Sequence, residues 1–365
     1  MKRRRIGILT GGGDCPGLNA VIRGVTKTAI LQYNMDVVGF FDGFLGLMEN
    51  RYTFLTYEDV SDILTRGGTI LGTNNKANPF QHVVIRNGTR IVDDVSDTTM
   101  GHYRDLGLEA LIAVGGDGTM TIAGMLAEKG AAIIGIPKTI DKDLVETDTT
   151  FGFDTARQIA TEGIDRLHTT AESHHRVMVV EVMGRNAGWL ALEAGIAGGG
   201  DIILLPELPY HMDEIIRVVR KRAGKGKRFS IVVASEGARP EGGAPVIQRI
   251  VEDSHERVRL GGISHFIAEK IEDLTSIECR VTILGHLQRG GTPSALDRFL
   301  ATRFAVKGME LAAQGDYNRM VALKGDEITC VPLAEVAGRQ RLVPPDSPVI
   351  KAGLSVGTSF GVPMT

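Results

Sequence analysis

Short runs of β-branched and aliphatic residues alternate along the chain with longer segments in which apolar residues recur at helical spacing. The short runs predict buried strands at Ile6–Thr10, Val37–Phe41, Ala110–Val114, Ala132–Ile136, Val177–Val182, Ile202–Pro206, Ile231–Ala234 and Val281–Leu284. The longer segments predict helices that include Asn19–Tyr33, Thr155–Thr169, Met212–Ala223, His255–Leu274 and Ser294–Gln314. Strands and helices that alternate in this way predict an α/β protein with doubly wound, mostly parallel sheets in three-layer lobes.

One pair of apolar runs interrupts this alternation. His82–Arg86 and Thr89–Val92 flank Asn87-Gly88, a dipeptide that accepts the positive φ angles of a tight hairpin turn. We therefore expect a β-hairpin at the edge of the main architecture.

Composition narrows the class of protein. The chain has 365 residues, a length that predicts about two domains. Its 41 basic and 44 acidic residues give a net charge of −3, which argues against a general nucleic-acid or membrane-surface role. Cys15, Cys279 and Cys330 are too few and too scattered for a disulfide framework or a cysteine metal site. No apolar stretch of signal-peptide length follows the first basic residues, so we expect a reducing, cytoplasmic location.

Glycine is enriched where the predicted strands end. The chain contains 46 glycines, which cluster at Gly11–Gly13, Gly67-Gly68, Gly115-Gly116, Gly198–Gly200 and Gly290-Gly291. In open α/β sheets, ligands bind beyond the carboxyl ends of the strands, where glycine lets the backbone approach a ligand closely. The clusters therefore predict a ligand site at the strand ends.

The first cluster does not fit the common nucleotide-binding fingerprints. Pro16 stands where the G-x-G-x-x-G pattern requires its third glycine, and the chain has no G-K-[ST] P-loop. A strand, a glycine loop and a helix N-terminus remain, and this arrangement binds anions through free N–H groups and the helix dipole. A plain tight turn is the alternative for this segment taken alone.

Two further strand ends carry charged residues. Asp117 either caps the following helix or holds Mg²⁺, which takes hard oxygen ligands and usually shares them with phosphate. The next strand end places Asp141 and Asp143 beside Lys138 and Lys142. A neutral turn does not need four charges, and a carboxylate there suits removal of a proton from a hydroxyl group.

Four motifs, in this order, resemble those of the 6-phosphofructokinases of the phosphofructokinase A family: Gly115–Thr119, Pro137–Asp143, Glu181–Gly188 and Leu284–Gly291. The likeness runs from Ile6 to about Gln314, and Gly118 with Lys138 resembles the bacterial mixed-substrate, long-type group. The first motif also occurs in NAD kinases and diacylglycerol kinases, but the other three do not. The resemblance implies that the protein phosphorylates D-fructose 6-phosphate at its C1 hydroxyl group, with ATP and Mg²⁺, to fructose 1,6-bisphosphate in glycolysis.

The resemblance also implies roles for the residues that handle the phosphoryl group. It makes Asp141 the general base, with Thr139 and Gly12 beside the transferred group, and places Asp117 on Mg²⁺ with Asp143 near the metal. Such transfer depends on positioning and on charge stabilisation, so no protein nucleophile is needed. The implied donor site consists of Gly12, Asn75, Lys76, Gly116, Asp117, Gly118 and Thr119.

The implied sugar-phosphate site is larger. Arg176 and Arg280 lie at the ends of strongly apolar strands, where an unpaired charge would be poorly solvated and a bound dianion would justify it. The adjacent His174-His175 pair lacks a third metal ligand at suitable spacing, so loop residues are favoured there. The full set is Thr139, Ile140, Asp141, Arg176, Met183, Gly184, Arg185, Glu236, Arg280, His286, Leu287, Gln288 and Arg289.

Family architecture implies two lobes with the active site in the cleft between them. It also implies a homodimer or homotetramer in which each sugar-phosphate site borrows Arg176 and Arg280 from a neighbouring subunit. No role is predicted for the C-terminal tail. The expected divisions are a nucleotide-binding lobe of residues 1–138 plus about 287–340, a sugar-phosphate-binding lobe of about 139–286, and a tail of 341–365.

The phosphoryl donor is the open point of this interpretation. Members of the family that use pyrophosphate typically have Asp where this chain has Gly118 and Lys where it has Lys138, so the two positions disagree. We expect ATP, because Asp at position 118 would fill the space of a nucleotide α-phosphate. Asn75 replaces an expected arginine, with Lys76 beside it, and Ile122 replaces a frequent glycine, so pyrophosphate remains the alternative.

Two other classes of function are weighed against this interpretation. An NAD or lipid kinase of the same superfamily would account for Gly115–Thr119 but for none of the other three motifs. A non-catalytic sugar-phosphate-binding subunit would be expected to lack Asp117 or Asp141, and both are present.

Overall fold

The computed structural model of the chain describes residues 3–87, 89–251 and 258–363. The elements before residue 175 are β1 (Arg5–Thr10), α1 (Leu18–Tyr33), β2 (Asp36–Phe40), α2 (Phe44–Met48), β3 (Tyr52–Leu55), β4 (His82–Arg86), β5 (Thr89–Asp93), α3 (Ser96–Asp105), β6 (Leu108–Gly115), α4 (Asp117–Glu128), β7 (Ile133–Thr139), β8 (Phe151–Gly152) and α5 (Phe153–His174). The elements after it are β9 (Val177–Val182), α6 (Trp189–Ala197), β10 (Ile202–Leu204), α7 (Met212–Gly224), β11 (Ser230–Ser235), β12 (Ile247–Ile250), β13 (Val258–Leu260), α8 (Ile263–Thr275), β14 (Cys279–Ile283), a 3₁₀ helix (Gly285–Arg289), α9 (Ala295–Gln314), β15 (Arg319–Lys324), β16 (Glu327–Pro332), a second 3₁₀ helix (Leu333–Glu335) and α10 (Pro348–Ser355).

The chain forms two compact units. The described residues of the first are 3–87, 89–155, 251 and 289–340, and those of the second are 156–250, 258–288 and 341–363. The units change after Thr155 and Gln288, whereas the sequence placed boundaries after residue 138 and near residue 286. β8 pairs with β7 and so keeps the residues between 139 and 155 in the first unit. The residues after 340, set apart by the sequence as a tail, belong to the second unit.

The first unit is built on a mostly parallel sheet. Its strand order is β16-β15-β7-β6-β1-β2-β3, and β8 pairs with β7. Gly7 of β1 stands opposite Val38 of β2 on one side and Leu111 of β6 on the other, both in parallel register. The edge strands β3 and β16 run antiparallel to their neighbours. The central strands are fully buried, which explains their continuous apolar sequence.

Helices cover both faces of this sheet. A Cβ atom on Gly135 of β7 would lie 2.7 Å from Met120 Sδ of α4, while one on Gly308 of α9 would lie 3.3 Å from Ile136 Cδ1 and 3.5 Å from Ile134 Cγ2. Successive strand residues point to opposite faces, so α4 and α9 lie on opposite sides of β7. The first unit therefore has three layers.

The second unit contains a smaller sheet of parallel strands in the order β10-β11-β9-β14. Ile203 of β10 packs against Gly195 of α6. Its neighbour Leu204 belongs instead to a buried cluster with Ile215 of α7 and Ile267 of α8. This unit too has helices on both faces, so the predicted fold class is confirmed.

The C-terminal residues pack on the second unit. Ser359 forms a parallel bridge with Ile202 at the β10 edge of the sheet, and Phe360 is fully buried. An uncovered sheet edge exposes unpaired backbone groups. These residues therefore cover an edge and complete the packing of this unit.

The predicted strands are all present with slightly shifted ends, and β4 and β5 form the predicted hairpin as a separate two-stranded sheet. Asn87 has the expected positive φ of 52°, and Gly88 lies outside the described residues. The helix predicted from His255 is wrong at its start. Residues 255–257 lie outside the described residues, and the next three form β13. Gly261 and Gly262 then have φ angles of 141° and 90°, so α8 begins only after them.

Among the described residues, no helix combines the length and hydropathy that crossing a membrane requires. The three cysteines are unpaired in the structure. Cys15 and Cys279 are buried, and Cys330 is half-buried on β16.

Candidate active site

Three strand ends of the first unit meet at one edge of its sheet. β1, β6 and β7 are adjacent and parallel, so the loops that follow them project from the same side. The Gly11 N–H donates to the Val114 carbonyl at 2.8 Å, which joins the first loop to the end of β6. The structure therefore brings together the glycine loop and the two charged turns that the sequence singled out.

The glycines of these loops are required by close packing around Thr119. A Cβ atom would lie 2.7 Å from Thr119 Oγ1 if placed on Gly11 and 2.2 Å from it if placed on Gly115. Gly12 has a φ of 77°, a conformation that L-residues rarely adopt. The loops are therefore compact turns with exposed backbone on one side.

Lys138 connects the third strand end to the first loop. Its side chain is 4% exposed, and Nζ donates to the Gly13 carbonyl at 2.5 Å. A Cβ atom on Gly12 would lie 3.6 Å from the same Nζ. Burial lowers the pKa of this ammonium group. Lys138 thus places a cation beneath the glycine loop.

Arg289 also contacts the first loop. Its Nη1 donates to the Asp14 carbonyl at 2.8 Å, and a Cβ atom on Gly13 would lie 2.8 Å from that nitrogen. The sequence grouped Arg289 with the sugar phosphate. In the structure, it belongs to the first unit and flanks the glycine loop.

Thr73 and Asn74 support the loop and were missed by the sequence analysis. Thr73 Oγ1 donates to the Gly12 carbonyl at 2.7 Å, and the Gly12 N–H donates to the Asn74 carbonyl at 3.3 Å. The neighbouring Asn75 is exposed, and Lys76 is half-buried with its N–H on Asn74 Oδ1. No sequence pattern signals these contacts, because they join segments about sixty residues apart.

Asp117 is the first residue of α4, and Gly116 is the residue that caps this helix. The carboxylate of Asp117 accepts the Gly118 N–H at 2.7 Å and Gln340 Nε2 at 2.6 Å. The capping alternative for Asp117 is therefore wrong. Gln340, like Thr73 and Asn74, is a residue that the sequence did not single out.

Three carboxylates share this edge of the sheet. Burial, followed by the charges of Asp141 and Asp117, raises the pKa of Asp143 to about 7. Asp143 is 7% exposed, and its carboxylate accepts a hydrogen bond from the Thr139 hydroxyl group at 3.0 Å. The Thr139 hydroxyl oxygen in turn accepts a hydrogen bond from the Asp141 N–H. Asp141 is half-buried at the end of β7. Thr139 therefore fixes the backbone of Asp141 and the side chain of Asp143.

This concentration of negative charge fits a Mg²⁺ site completed by a phosphorylated ligand. Mg²⁺ is usually held by one or two carboxylates together with phosphate oxygens and water. The part of the chain that the structure describes has no group of three or more His, Cys, Asp or Glu side chains arranged to hold a metal by themselves. The half-buried Asp117, beside exposed glycine backbone, fits the shared type of site.

The second unit brings together the loops after β9, β11 and β14. Gln288 is fully buried: its Oε1 accepts the Met183 N–H at 3.3 Å, and its Nε2 donates to the Gly285 carbonyl at 3.0 Å. The Glu236 N–H donates to the Val182 carbonyl at 2.9 Å. His286 and Leu287 are exposed beside Gln288. These predicted residues therefore lie at the carboxyl end of one sheet.

Gly184 and Arg185 are fixed within the same loop cluster. Gly184 has a φ of 131°, and Ser235 Oγ donates to its carbonyl at 2.5 Å. A Cβ atom on Gly237 would lie 1.9 Å from the Arg185 carbonyl oxygen. The loop after β9 therefore depends on a glycine in the loop after β11.

Arg176 and Arg280 lie elsewhere. Arg176 precedes β9 and Arg280 is the second residue of β14, so both stand at the amino end of the sheet. A six-residue strand spans about 20 Å, which separates them from the carboxyl-end loops of the same unit. Their side chains are 24% and 49% exposed, and both are paired with Glu278. The expectation that these charges are poorly solvated and unpaired is therefore wrong.

The fold and the first unit's strand-end loops define an α/β protein built to bind a phosphorylated ligand. The family model described as Phosphofructokinase matches residues 5–312, and the chain belongs to this family. It is 51% identical to ATP-dependent 6-phosphofructokinase 2 of Clostridium perfringens over 98% of both chains. It is 48% identical to pyrophosphate–fructose 6-phosphate 1-phosphotransferase of Amycolatopsis methanolica over 94% of this chain and 97% of that one.

The fold agrees with this membership. The crystal structure of Pichia pastoris phosphofructokinase in the T-state matches with a TM-score of 0.79 at 29% identity, over 98% of this chain and 37% of that chain. The resemblance drawn from the four sequence motifs is confirmed.

Proposed function

We propose that this protein transfers a phosphoryl group from ATP to the C1 hydroxyl group of fructose 6-phosphate, as a glycolytic enzyme of the cytoplasm. One observation carries the proposal: the glycine loop, Asp117 and the segment from Lys138 to Asp143 meet at a single edge of the first sheet. Phosphoryl transfer needs positioned backbone donors, a cation and a base, and this edge supplies all three.

The donor phosphates bind along the glycine loops. Gly12, Gly116, Gly118 and Thr119 line this site, and α4 directs the positive end of its dipole toward the phosphates. Asn75 and Lys76 complete this donor site. Lys138 and Arg289 meet the transferred phosphoryl group from below the loop, because both contact its backbone.

Asp141 takes the proton from the C1 hydroxyl group as that oxygen attacks the transferred phosphorus. Thr139 and Ile140 hold it at the end of β7, and the backbone hydrogen bond to Thr139 fixes its position. Burial raises the pKa of the Cys15 thiol to about 12, so this cysteine is no nucleophile, and the direct transfer proposed here needs none.

Asp117 would hold Mg²⁺, with Asp143 close to it. The metal would neutralise charge that develops on the donor phosphates during the reaction. The removal of divalent cations is therefore part of the test below.

The sugar phosphate binds through residues at both ends of the second sheet. Met183, Gly184, Arg185, Glu236, His286, Leu287 and Gln288 form the carboxyl-end group within one chain. Arg176 and Arg280 serve the corresponding site of a neighbouring subunit in a dimer or tetramer. Their position at the amino end, remote from the other group, supports this division.

ATP is the proposed donor, and pyrophosphate is the second candidate. A Cβ atom on Gly118 would meet no atom within 4 Å, so open space lies where a nucleotide α-phosphate must fit. Ile122 is 7% exposed and packs in the hydrophobic core of the first unit, so its bulk points away from solvent. The pyrophosphate-named relative keeps the second candidate in view.

A coupled assay of the purified protein tests the proposal. Formation of fructose 1,6-bisphosphate is measured with equal concentrations of ATP, ADP or pyrophosphate, with Mg²⁺ or with excess EDTA. We expect the highest kcat/KM with ATP and no turnover in EDTA. A higher kcat/KM with pyrophosphate would transfer the assignment to the second candidate, and phosphorylation of NAD or a lipid in place of the sugar would reject both.

A further inference from the structure

Glu278 joins the two arginines at the amino end of the second sheet. Its Oε2 accepts Arg176 Nε at 2.6 Å, and its Oε1 accepts a terminal nitrogen of Arg280. One carboxylate therefore holds two guanidinium groups that would otherwise repel each other. Its hydrogen bond with Arg176 lowers the pKa of Glu278, which keeps the carboxylate charged.

The backbone around Glu278 is fixed. The Val177 N–H donates to the Glu278 carbonyl at 3.0 Å, and the next residue, Cys279, stands opposite Val177 in the parallel register of β14 and β9. The Cys279 N–H donates to Glu272 Oε1 of α8 at 2.7 Å. Hydrogen bonds to β9 and α8 therefore fix the backbone from which the Glu278 side chain extends.

The geometry leaves the binding face of Arg176 available. Glu278 uses Nε, and no other hydrogen bond of the Arg176 side chain occurs within the described residues. The two terminal nitrogens together make the planar fork that binds phosphate through two parallel hydrogen bonds. Arg280 is restrained further, because its Nη1 donates to the Cys279 carbonyl at 2.7 Å.

We propose that Glu278 is a positioning residue for the sugar phosphate, which orients Arg176 and Arg280 so that both present donors to one phosphate dianion. This inference rests on the proposed function, because that function assigns both arginines to fructose 6-phosphate. A preoriented pair loses less side-chain entropy on binding than two free arginines do. The carboxylate is 45% exposed, so water screens its repulsion of the dianion.

The test compares steady-state kinetics of Glu278→Ala, Glu278→Gln and Arg176→Ala with wild type. We expect Glu278→Ala to raise the KM for fructose 6-phosphate roughly tenfold, the change that corresponds to about 1.4 kcal/mol, with kcat and the KM for ATP unchanged. Glu278→Gln retains one acceptor oxygen and should have a smaller effect. Glu269→Ala, which removes an exposed carboxylate from α8 of the same unit, is the matched control and should match wild type.

The results of these measurements distinguish the positioning role of Glu278 from the proposed function on which it rests. A protein without phosphofructokinase activity rejects the proposed function itself. If Arg176→Ala raises the KM but both Glu278 variants leave it unchanged, the positioning role is overturned. A lower KM in Glu278→Gln also overturns it, because the carboxylate would then compete with the phosphate. In the Arg176→Ala background, Glu278→Ala should have less effect than in wild type, whereas full additivity contradicts action through Arg176.

Discussion

The two aspartates after β7 differ in burial, and this difference separates their roles. Asp141 is half-buried at the mouth of the strand, whereas Asp143 is 7% exposed and lies under the charges of its neighbours. The proposed base must reach the substrate proton, and Asp141 is the more exposed of the two aspartates. Burial and the neighbouring carboxylates raise the pKa of Asp143, which favours its protonated form.

Asp141→Asn should lower turnover about 10²–10⁴-fold, because it removes the base and leaves the surrounding backbone in place. Binding of fructose 6-phosphate should stay within a few-fold of wild type, since the sugar-phosphate residues are untouched. Rapid kinetics and calorimetric binding measure the two effects, with exposed Asp165→Asn of α5 as control. Near-normal turnover of the Asp141 variant would remove the base from the mechanism.

Asp143 makes the stability of the free protein depend on pH. Its folded-state pKa of about 7 lies above the ordinary value of 3.8 because of burial and the neighbouring carboxylates. Between these values, the folded state binds more protons than the unfolded state, so this group's contribution to stability falls as pH rises.

Asp143→Asn removes this dependence, because the amide stays neutral throughout. The free energy of unfolding of the variant relative to wild type should therefore rise between pH 5 and pH 8, by up to about 1.4 kcal/mol for each pKa unit. Its melting temperature relative to wild type should rise with it. Thermal unfolding in metal-free buffers measures the change. A difference that is constant across this range would contradict the inference.

Gly118 gives the sharpest test of the donor. The position is exposed and open, so Gly118→Asp fits without a steric clash and places a favourable charge in the first turn of α4. We expect kcat/KM for ATP to fall at least about tenfold, because a carboxylate then occupies α-phosphate space. Activity with pyrophosphate should fall less. Gly118→Asn separates bulk from charge, and equal losses with both donors would count against ATP binding at this place.

At the scale of elements, the C-terminal segment is fastened to the loop that follows β9. Trp189 Nε1 donates to the Arg341 carbonyl at 3.0 Å, and the Arg341 guanidinium lies 4.9 Å from the centre of the indole ring. Glu207 accepts the Gly188 N–H at 2.9 Å and the Val343 N–H at 2.8 Å. One half-buried carboxylate therefore ties the segment to the loop that carries Met183 to Arg185.

Glu207→Ala should loosen this attachment, because two amide groups then lose their acceptor at a cost of about 1–3 kcal/mol each. The chain has one tryptophan, Trp189, so its fluorescence emission reports directly on the attachment of the C-terminal segment. We expect a lower melting temperature and a red-shifted Trp189 emission. Glu241→Ala, at an exposed position of the same unit, is the control. Unchanged emission would mean that the segment is held without Glu207.

At the scale of the whole molecule, the position of Arg176 bears on assembly. It lies at the amino end of the second sheet, whereas its expected partners lie at the carboxyl end. In the proposed function, a site that uses all of them draws on two subunits. Under this proposal, binding of the sugar phosphate requires an oligomer.

Mixing chains with different defects tests this requirement, at a fructose 6-phosphate concentration well below the KM of the Arg176→Ala variant. Arg176→Ala and Asp141→Asn subunits, co-assembled at random in equal amounts, should regain about a quarter of wild-type activity, because about a quarter of all sites then combine two intact contributions. A mixture of Asp117→Ala and Asp141→Asn subunits should regain no activity. Each site takes both of these residues from the first unit of the same chain, so every site keeps one defect. A mixture of the first pair no more active than its parents would place every site within one subunit.

The sequence alone determined the fold class and predicted most of the residues that are proposed for the first unit's site. Continuous apolar runs identify parallel strands because both faces of such strands are buried. Glycines and charges that follow these runs identify the binding edge, because parallel strands end on the same side. Asp117, Lys138 and Asp141 were found in this way, and the four ordered motifs identified the family.

Only the tertiary structure decided which residues support these groups and where the arginines belong. Gln340 binds Asp117 across more than two hundred residues, and no local pattern records such a pairing. Glu278 left a weak signal, since it stands two residues before Arg280, a spacing that places both side chains on one side of an extended chain. The partner of Arg176, however, depends on how β9 and β14 align, and backbone register between distant strands is set by packing of the whole sheet.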